Sequence, residues 1–231
     1  MKANKPSLIL YFSALLLTII FDCMQQEIMA VYAKSIVLPA IFFYFLISSN
    51  YKIGKTEALI FVFCFIGQVF ELMDIELSEI GGVLCFLIVY MLLIRIFIVH
   101  HEKMKFRKRD VLPISIVVIF IIYLLIAVLS LQSDSLKKFN WLNTFYGIIL
   151  SLLSYYSFVN YITKGTYVTF LMSMMAICYI FSDMFYIFSK YFSYSIVFVL
   201  IRDLTQILAY YFMVAYFLEK AKSHKKILYD N

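Results

Sequence analysis

The sequence predicts an all-α integral membrane protein: a single domain over 1–231, built as a bundle of about eight transmembrane helices. Three observations predict it. First, 64% of the 231 residues are hydrophobic and 15% are charged, against roughly 45–50% and about 25% in soluble domains. A soluble fold of this composition lacks the polar residues to cover its surface. Second, the apolar residues gather in eight segments, each near the length of about 20 residues that a spanning helix needs. Third, the chain has only six Gly and three Pro and no alternating ten-residue pattern, so helices fit better than the strands of a membrane barrel. Eight spans leave too little chain for a second, soluble catalytic domain.

Taken in order, the spans fall near 7–22, 29–48, 57–73, 80–99, 111–131, 142–162, 166–188 and 194–217. The first follows Lys2 and Lys5 but ends Phe21-Asp22-Cys23-Met24-Gln25-Gln26. That end offers no small-residue cleavage site, so it reads as an uncleaved helix. Orientation comes from the cations, which concentrate on cytoplasmic loops. With the N-terminus inside, the inner segments hold Lys2, Lys5, Lys52, Lys55, Lys103, Lys105, Arg107, Lys108, Arg109, Lys164, Lys220, Lys222, Lys225 and Lys226. The outer loops keep Lys137, Lys138 and Lys190, and the loop after the third span is acidic through Asp74, Glu76 and Glu79. An even number of spans then places both termini in the cytoplasm.

Most of the net charge of +6 is therefore an orientation signal facing anionic headgroups, and no nucleic-acid partner is expected; a soluble partner held by the basic loop 103–109 is the sharper alternative for that run. Tyr51, Tyr161, Tyr167, Tyr191 and Tyr194 sit at segment ends as interfacial anchors. Cys23, Cys64, Cys85 and Cys178 are isolated and form no C-x-x-C, so no disulfide framework is expected. His100 and His101 are adjacent and do not share a helix face, and His224 stands apart. No metal site and no cofactor are expected. The lack of targeting sequences suits a bacterial inner membrane.

Ionisable residues inside spans are costly and are functional candidates by default. Arg95 lies about one turn from the cytoplasmic end of span four and can snorkel to the headgroups. Asp22 ends span one and reads as interfacial. The others lie deeper. Lys34 is in span two, Gln68 and Glu71 in span three, Asp183 in span seven, and Arg202, Asp203 and Gln206 in span eight. On the assumed topology they share one slab in the outer half of the bilayer. Gln68 and Glu71 share a face at i, i+3, as do Asp203 and Gln206. A buried salt-bridge network, with Lys34 and Arg202 neutralising Asp183 and Asp203, explains the slab structurally. A polar pocket for a lipid-like substrate explains it functionally, because a carboxylate beside a cation can move protons.

Three stretches carry a resemblance. Ala33-Lys34-Ser35-Ile36-Val37-Leu38-Pro39 is similar to an A-K-P-x-x-x-P opening of span two, with Ser35 in place of the first proline. Phe65-Ile66-Gly67-Gln68 is similar to an L-G-D in span three, and Phe181-Ser182-Asp183 to an S-D in span seven, followed by a span bearing Gln206. The chain thereby resembles the YhhN-like family of eight-span membrane proteins, which includes the transmembrane lysoplasmalogenases. The resemblance covers nearly the whole chain and implies hydrolysis of the vinyl-ether bond of a lysoplasmalogen, giving a fatty aldehyde and a glycerophospho-base. It implies two intramembrane carboxylates. Here Asp183 stands at one position and Gln68 at the other, while Val89-Tyr90 falls where the family has A-H. Glu71, one turn from Gln68, or Asp203 would supply the second carboxylate. Asp183 and Glu71 are thus the catalytic candidates. Lys34, Gln68, Tyr90, Arg202, Asp203 and Gln206 are the substrate-binding candidates, for a membrane lipid or lysolipid.

Two other classes stay open. One is a diverged lipid-binding or sensing bundle without catalysis. The other is a small-molecule transporter, since buried cation–carboxylate pairs also relay protons. No inverted repeat and no Pro-broken span is visible to support a transporter.

Overall fold

A computed structural model describes residues 5–73, 76–99, 107–130, 140–191 and 195–229. His100, His101, Lys103, Lys105, Asp74, Lys137 and Lys138 lie outside the described residues, as do the side chains of Glu76, Glu79, Tyr191 and His224. Among the described residues the protein is all-α, with helices α1 Lys5–Cys23, α2 Glu27–Ser48, α3 Lys55–Met73, α4 Glu76–Val99, α5 Val111–Ser130, α6 Asn140–Lys164, α7 Tyr167–Tyr191 and α8 Ile196–Tyr229. All eight are long and apolar enough to cross a bilayer. The protein is an integral membrane protein, and its outward faces agree. Ile116, Ile119, Phe120, Tyr123 and Ile126 of α5 are exposed, an arrangement that suits lipid and not water.

Local chemistry explains the helix ends. Pro6 and Pro113 occupy first turns, where the missing N–H costs nothing. Pro39 lies inside α2, which continues past it. The Asp110 carboxylate accepts the Arg107 backbone N–H at 3.1 Å and closes a short 3₁₀ turn, Lys108–Asp110, ahead of α5. Gly165 ends α6 with φ +59°, the left-handed conformation glycine adopts without a Cβ penalty, and its N–H reaches the Tyr161 carbonyl at 2.9 Å. Gln25 makes the corresponding left-handed turn between α1 and α2, with φ 57°.

The helices match the apolar segments read from sequence except at the end of α8. The apolar run stops near 217, while the helix continues to Tyr229. The continuation is built from helix-favouring residues, with Lys222 paired to Glu219 at 2.9 Å one turn back.

The chain groups into two compact units, one of Met1–Phe61 with Cys178–Asn231 and one of Val62–Ile177. In the first unit, α1 packs on α2 and α8, and α2 packs on α8. Periodic stripes make these contacts. Tyr11, Ala14 and Thr18 are the buried residues of α1; Ala30, Ala33, Lys34, Val37, Leu38, Ile41 and Phe45 belong to that set in α2. In α8 the stripe is Asp203, Gln206, Ile207, Tyr210, Met213, Val214 and Phe217. The Tyr11 hydroxyl donates to the Ile207 carbonyl, fastening α1 to α8. Phe45, Phe61 and Phe217 form an aromatic cluster with centroids 5.3–6.4 Å apart.

In the second unit, α6 packs against α4 and α5. Small residues allow close approach. Gly67 meets Cys85 and Phe86 of α4, and Gly81 meets the ring of Phe70. Ser173 of α7 donates to the Ser157 carbonyl of α6 at 3.1 Å. All four cysteines are free thiols.

Candidate functional site

The first unit holds a charged cluster among apolar helices. Lys34, on the inward stripe of α2, reaches Asp203 of α8, with Nζ 2.9 Å from Oδ1. Arg202 folds back from the neighbouring position so that its Nε donates to the same Oδ1 at 2.6 Å. One carboxylate oxygen thus accepts from two cations. The Lys34 and Asp203 side chains are 5% and 3% exposed, while Arg202 keeps 21%. Lys34 and Asp203 are therefore sealed within the helices, and Arg202 stands at the cluster's edge.

The arrangement follows from sequence register. Lys34 lies four residues after Ala30 and three before Val37, so the face that packs α2 carries the ammonium inward. Asp203 and Gln206, three apart, both lie on the buried face of α8. A buried charge is tolerated when it is paired and hydrogen-bonded, and the Lys34–Asp203–Arg202 triad meets that condition.

Asp22 also belongs to this region. It follows Thr18 by four residues, which extends the inward stripe of α1 to its last turn. Its charge interacts with Asp203, Lys34 and Arg202. Its Oδ2 is buried and meets no hydrogen-bond donor among the described residues. Position alone made Asp22 look interfacial. The i, i+4 step from the buried Thr18 is the signal that places its carboxyl inward.

Asp183 is half-buried on α7 within the same unit. Tyr179, one turn earlier, donates to the Met213 sulfur of α8 at 3.8 Å, and Phe188, further along, packs on Phe198 at 5.9 Å. These two contacts make α7 and α8 antiparallel and bracket Asp183 on one helix and Gln206 on the other. By helical rise the two lie at about the same depth. Gln206 itself is buried.

The remaining predicted residues belong to the second unit. Gln68 is buried on α3 and Glu71 is half-buried one turn later. Tyr90 of α4 is fully buried and accepts a hydrogen bond from the Tyr146 hydroxyl at 3.2 Å, with the rings 5.4 Å apart. Arg95 is exposed near the end of α4, as snorkelling requires. No group of three or more His, Cys, Asp or Glu able to hold a metal ion occurs among the described residues.

Chemically, the cluster offers two cations, one carboxylate held as their counter-ion, and a further carboxylate, Asp22; Asp183 lies on α7 in the same unit, at about the depth of Gln206. Such a set can attract an anionic head group and can donate or accept protons in a region of low dielectric. Compared with protein-family models, with curated proteins and with solved structures, the chain gives no match.

Proposed function

We propose that the protein is a membrane lipid hydrolase of the lysoplasmalogenase type, acting on a single-chain phospholipid at the charged cluster of the first unit. The observation that carries this reading is the Lys34–Asp203–Arg202 triad, two cations fixed on one carboxylate inside membrane helices, with Asp183 on the neighbouring α7. Arg202, partly exposed at the cluster's edge, meets the lipid phosphate, for which a guanidinium is well shaped. Asp183 protonates the outer carbon of the enol ether. Water then adds to the resulting oxocarbenium, and the hemiacetal collapses to a fatty aldehyde and the glycerophospho-alcohol. The resemblance of Phe181-Ser182-Asp183 to the family's S-D supports this role for Asp183. Both termini lie in the cytoplasm, an orientation supported by the distribution of Lys and Arg, and the membrane is the inner membrane of a bacterium.

Aldehyde release from a lysoplasmalogen by the purified protein tests the reading. Wild type releases aldehyde and Asp183→Asn does not. An Asp183→Asn variant with full rate refutes the catalytic assignment.

One observation favours a second reading, a lipid-binding protein without catalysis. Asp203 is committed to two cations, and Gln68 and Tyr90 stand where the resemblance implies Asp and His. Saturable lysolipid binding with no aldehyde distinguishes that case.

A further inference from the structure

Two segments far apart in sequence meet at the end of the first unit where α8 finishes. The turn after α2 and the first turn of α3, residues 49–57, hold Lys52, Lys55 and Glu57. The end of α8, residues 216–229, holds Glu219, Lys220, Lys222, Lys225 and Lys226. The Phe217 ring of α8 lies 5.9 Å from Phe45 of α2 and 6.4 Å from Phe61 of α3. Glu57 interacts electrostatically with both Tyr216 and Lys220 of α8, and its Oε2 accepts the Gly54 N–H at 3.0 Å. Lys220 in turn places its Nζ 5.9 Å from the centre of the Tyr216 ring. The two segments together carry six lysines against two glutamates, a strongly positive surface.

Helical rise sets its depth. From Ile196 to Phe217, α8 rises about 33 Å, close to the hydrocarbon thickness of about 30 Å. The helix nevertheless runs on to Tyr229, so its last turns cross the headgroup layer and stand beyond it. Lys220 lies about 4.5 Å past Phe217 along the axis, at the level of lipid phosphates. Tyr51, exposed and next to Lys52, suits the same interfacial depth. Lys52, Lys55 and Lys222 are exposed, and Lys225 and Lys226 follow Lys222 by three and four residues, on its face of the helix.

We infer that this end of the first unit is a binding surface for the headgroups of anionic phospholipids, with Lys52, Lys55, Lys220 and Lys222 at its centre. Orienting the chain needs these cations only during insertion. In the folded protein they stay fixed at phosphate depth by the Phe45–Phe61–Phe217 cluster and by Glu57, so little freedom is lost when a headgroup binds. The surface is separate from the charged cluster around Asp203, and its test does not depend on turnover.

The full-length protein in uncharged detergent is titrated with fluorescent phosphatidylglycerol and, in parallel, fluorescent phosphatidylcholine. Wild type binds phosphatidylglycerol roughly 10²-fold more tightly. A lysine near a lipid surface contributes about fivefold, so the variant Lys52→Gln, Lys55→Gln, Lys222→Gln loses roughly that whole advantage and binds phosphatidylcholine as wild type does. Lys222→Gln alone loses about fivefold, whereas Lys190→Gln, at the opposite end of the unit, stays within about twofold. Equal wild-type affinity for the two lipids overturns the proposal. So does an equal loss from Lys190→Gln and Lys222→Gln, which reports net charge and no particular surface. Inorganic phosphate that displaces the lipid better than chloride of equal ionic strength makes the surface a site for soluble phosphate and overturns the lipid assignment. Should the triple variant fail to fold, a sodium chloride series on wild type decides: affinity for phosphatidylglycerol falls with salt, and an unchanged affinity overturns the proposal.

Discussion

Lys34 and Arg202 converge on one oxygen of Asp203, and each member of the triad is costly without the others. Asp203→Ala strands two cations among the helices and lowers stability by about 3–5 kcal/mol, read from thermal or denaturant unfolding in detergent. The double change Lys34→Met with Asp203→Leu removes the sealed pair and fills the space with apolar atoms. Its stability returns to within about 1 kcal/mol of wild type, because a well-packed apolar pair replaces a buried ion pair at little cost. Arg202, already at the cluster's edge, then turns its head group outward. Much of this was legible in the sequence, since a lysine or aspartate stands out against an apolar span. Asp22 was not, because its place at the end of a span hid its face. Only continuing the Tyr11–Ala14–Thr18 stripe by one turn brings it inward.

At the scale of single helices, close packing depends on where a side chain is missing. A Cβ on Gly81 would lie 2.9 Å from two ring atoms of Phe70, whereas the nearest atom to one on Gly82 is 3.8 Å away. Gly81→Ala therefore lowers stability by about 1–3 kcal/mol, the usual cost of overpacking. Gly82→Ala is neutral or stabilising by up to about 1 kcal/mol, since alanine is the better helix former. Side-by-side melting curves in one detergent decide the ordering. At the end of α8, Lys222 is 72% exposed in its pair with Glu219, so Glu219→Gln changes stability by less than about 0.5 kcal/mol. Hydropathy located all eight helices yet missed this extension. Most residues past 217 are polar, and their helicity comes from backbone propensity. The assignment of helices to two units was equally hidden, because it follows from which faces interlock and not from how apolar each face is.

Across the whole molecule, scarce charge is used in two ways. Most cations lie at the ends of the spans or beyond them, and the proposed orientation drawn from them predicts that a C-terminal fluorescent-protein fusion fluoresces while alkaline phosphatase joined after residue 136 is active. The reverse pattern inverts the topology. Four charged residues of the first unit's helices, Asp22, Lys34, Arg202 and Asp203, gather where α1, α2 and α8 meet, and the functional claim rests on that gathering. Aldehyde release from a lysoplasmalogen, measured on wild type beside the folded Lys34→Met, Asp203→Leu protein, tests it most directly. The account predicts turnover by wild type and loss of at least about 10²-fold in the apolar replacement at unchanged stability. Equal turnover by the two proteins, or none by wild type, contradicts it.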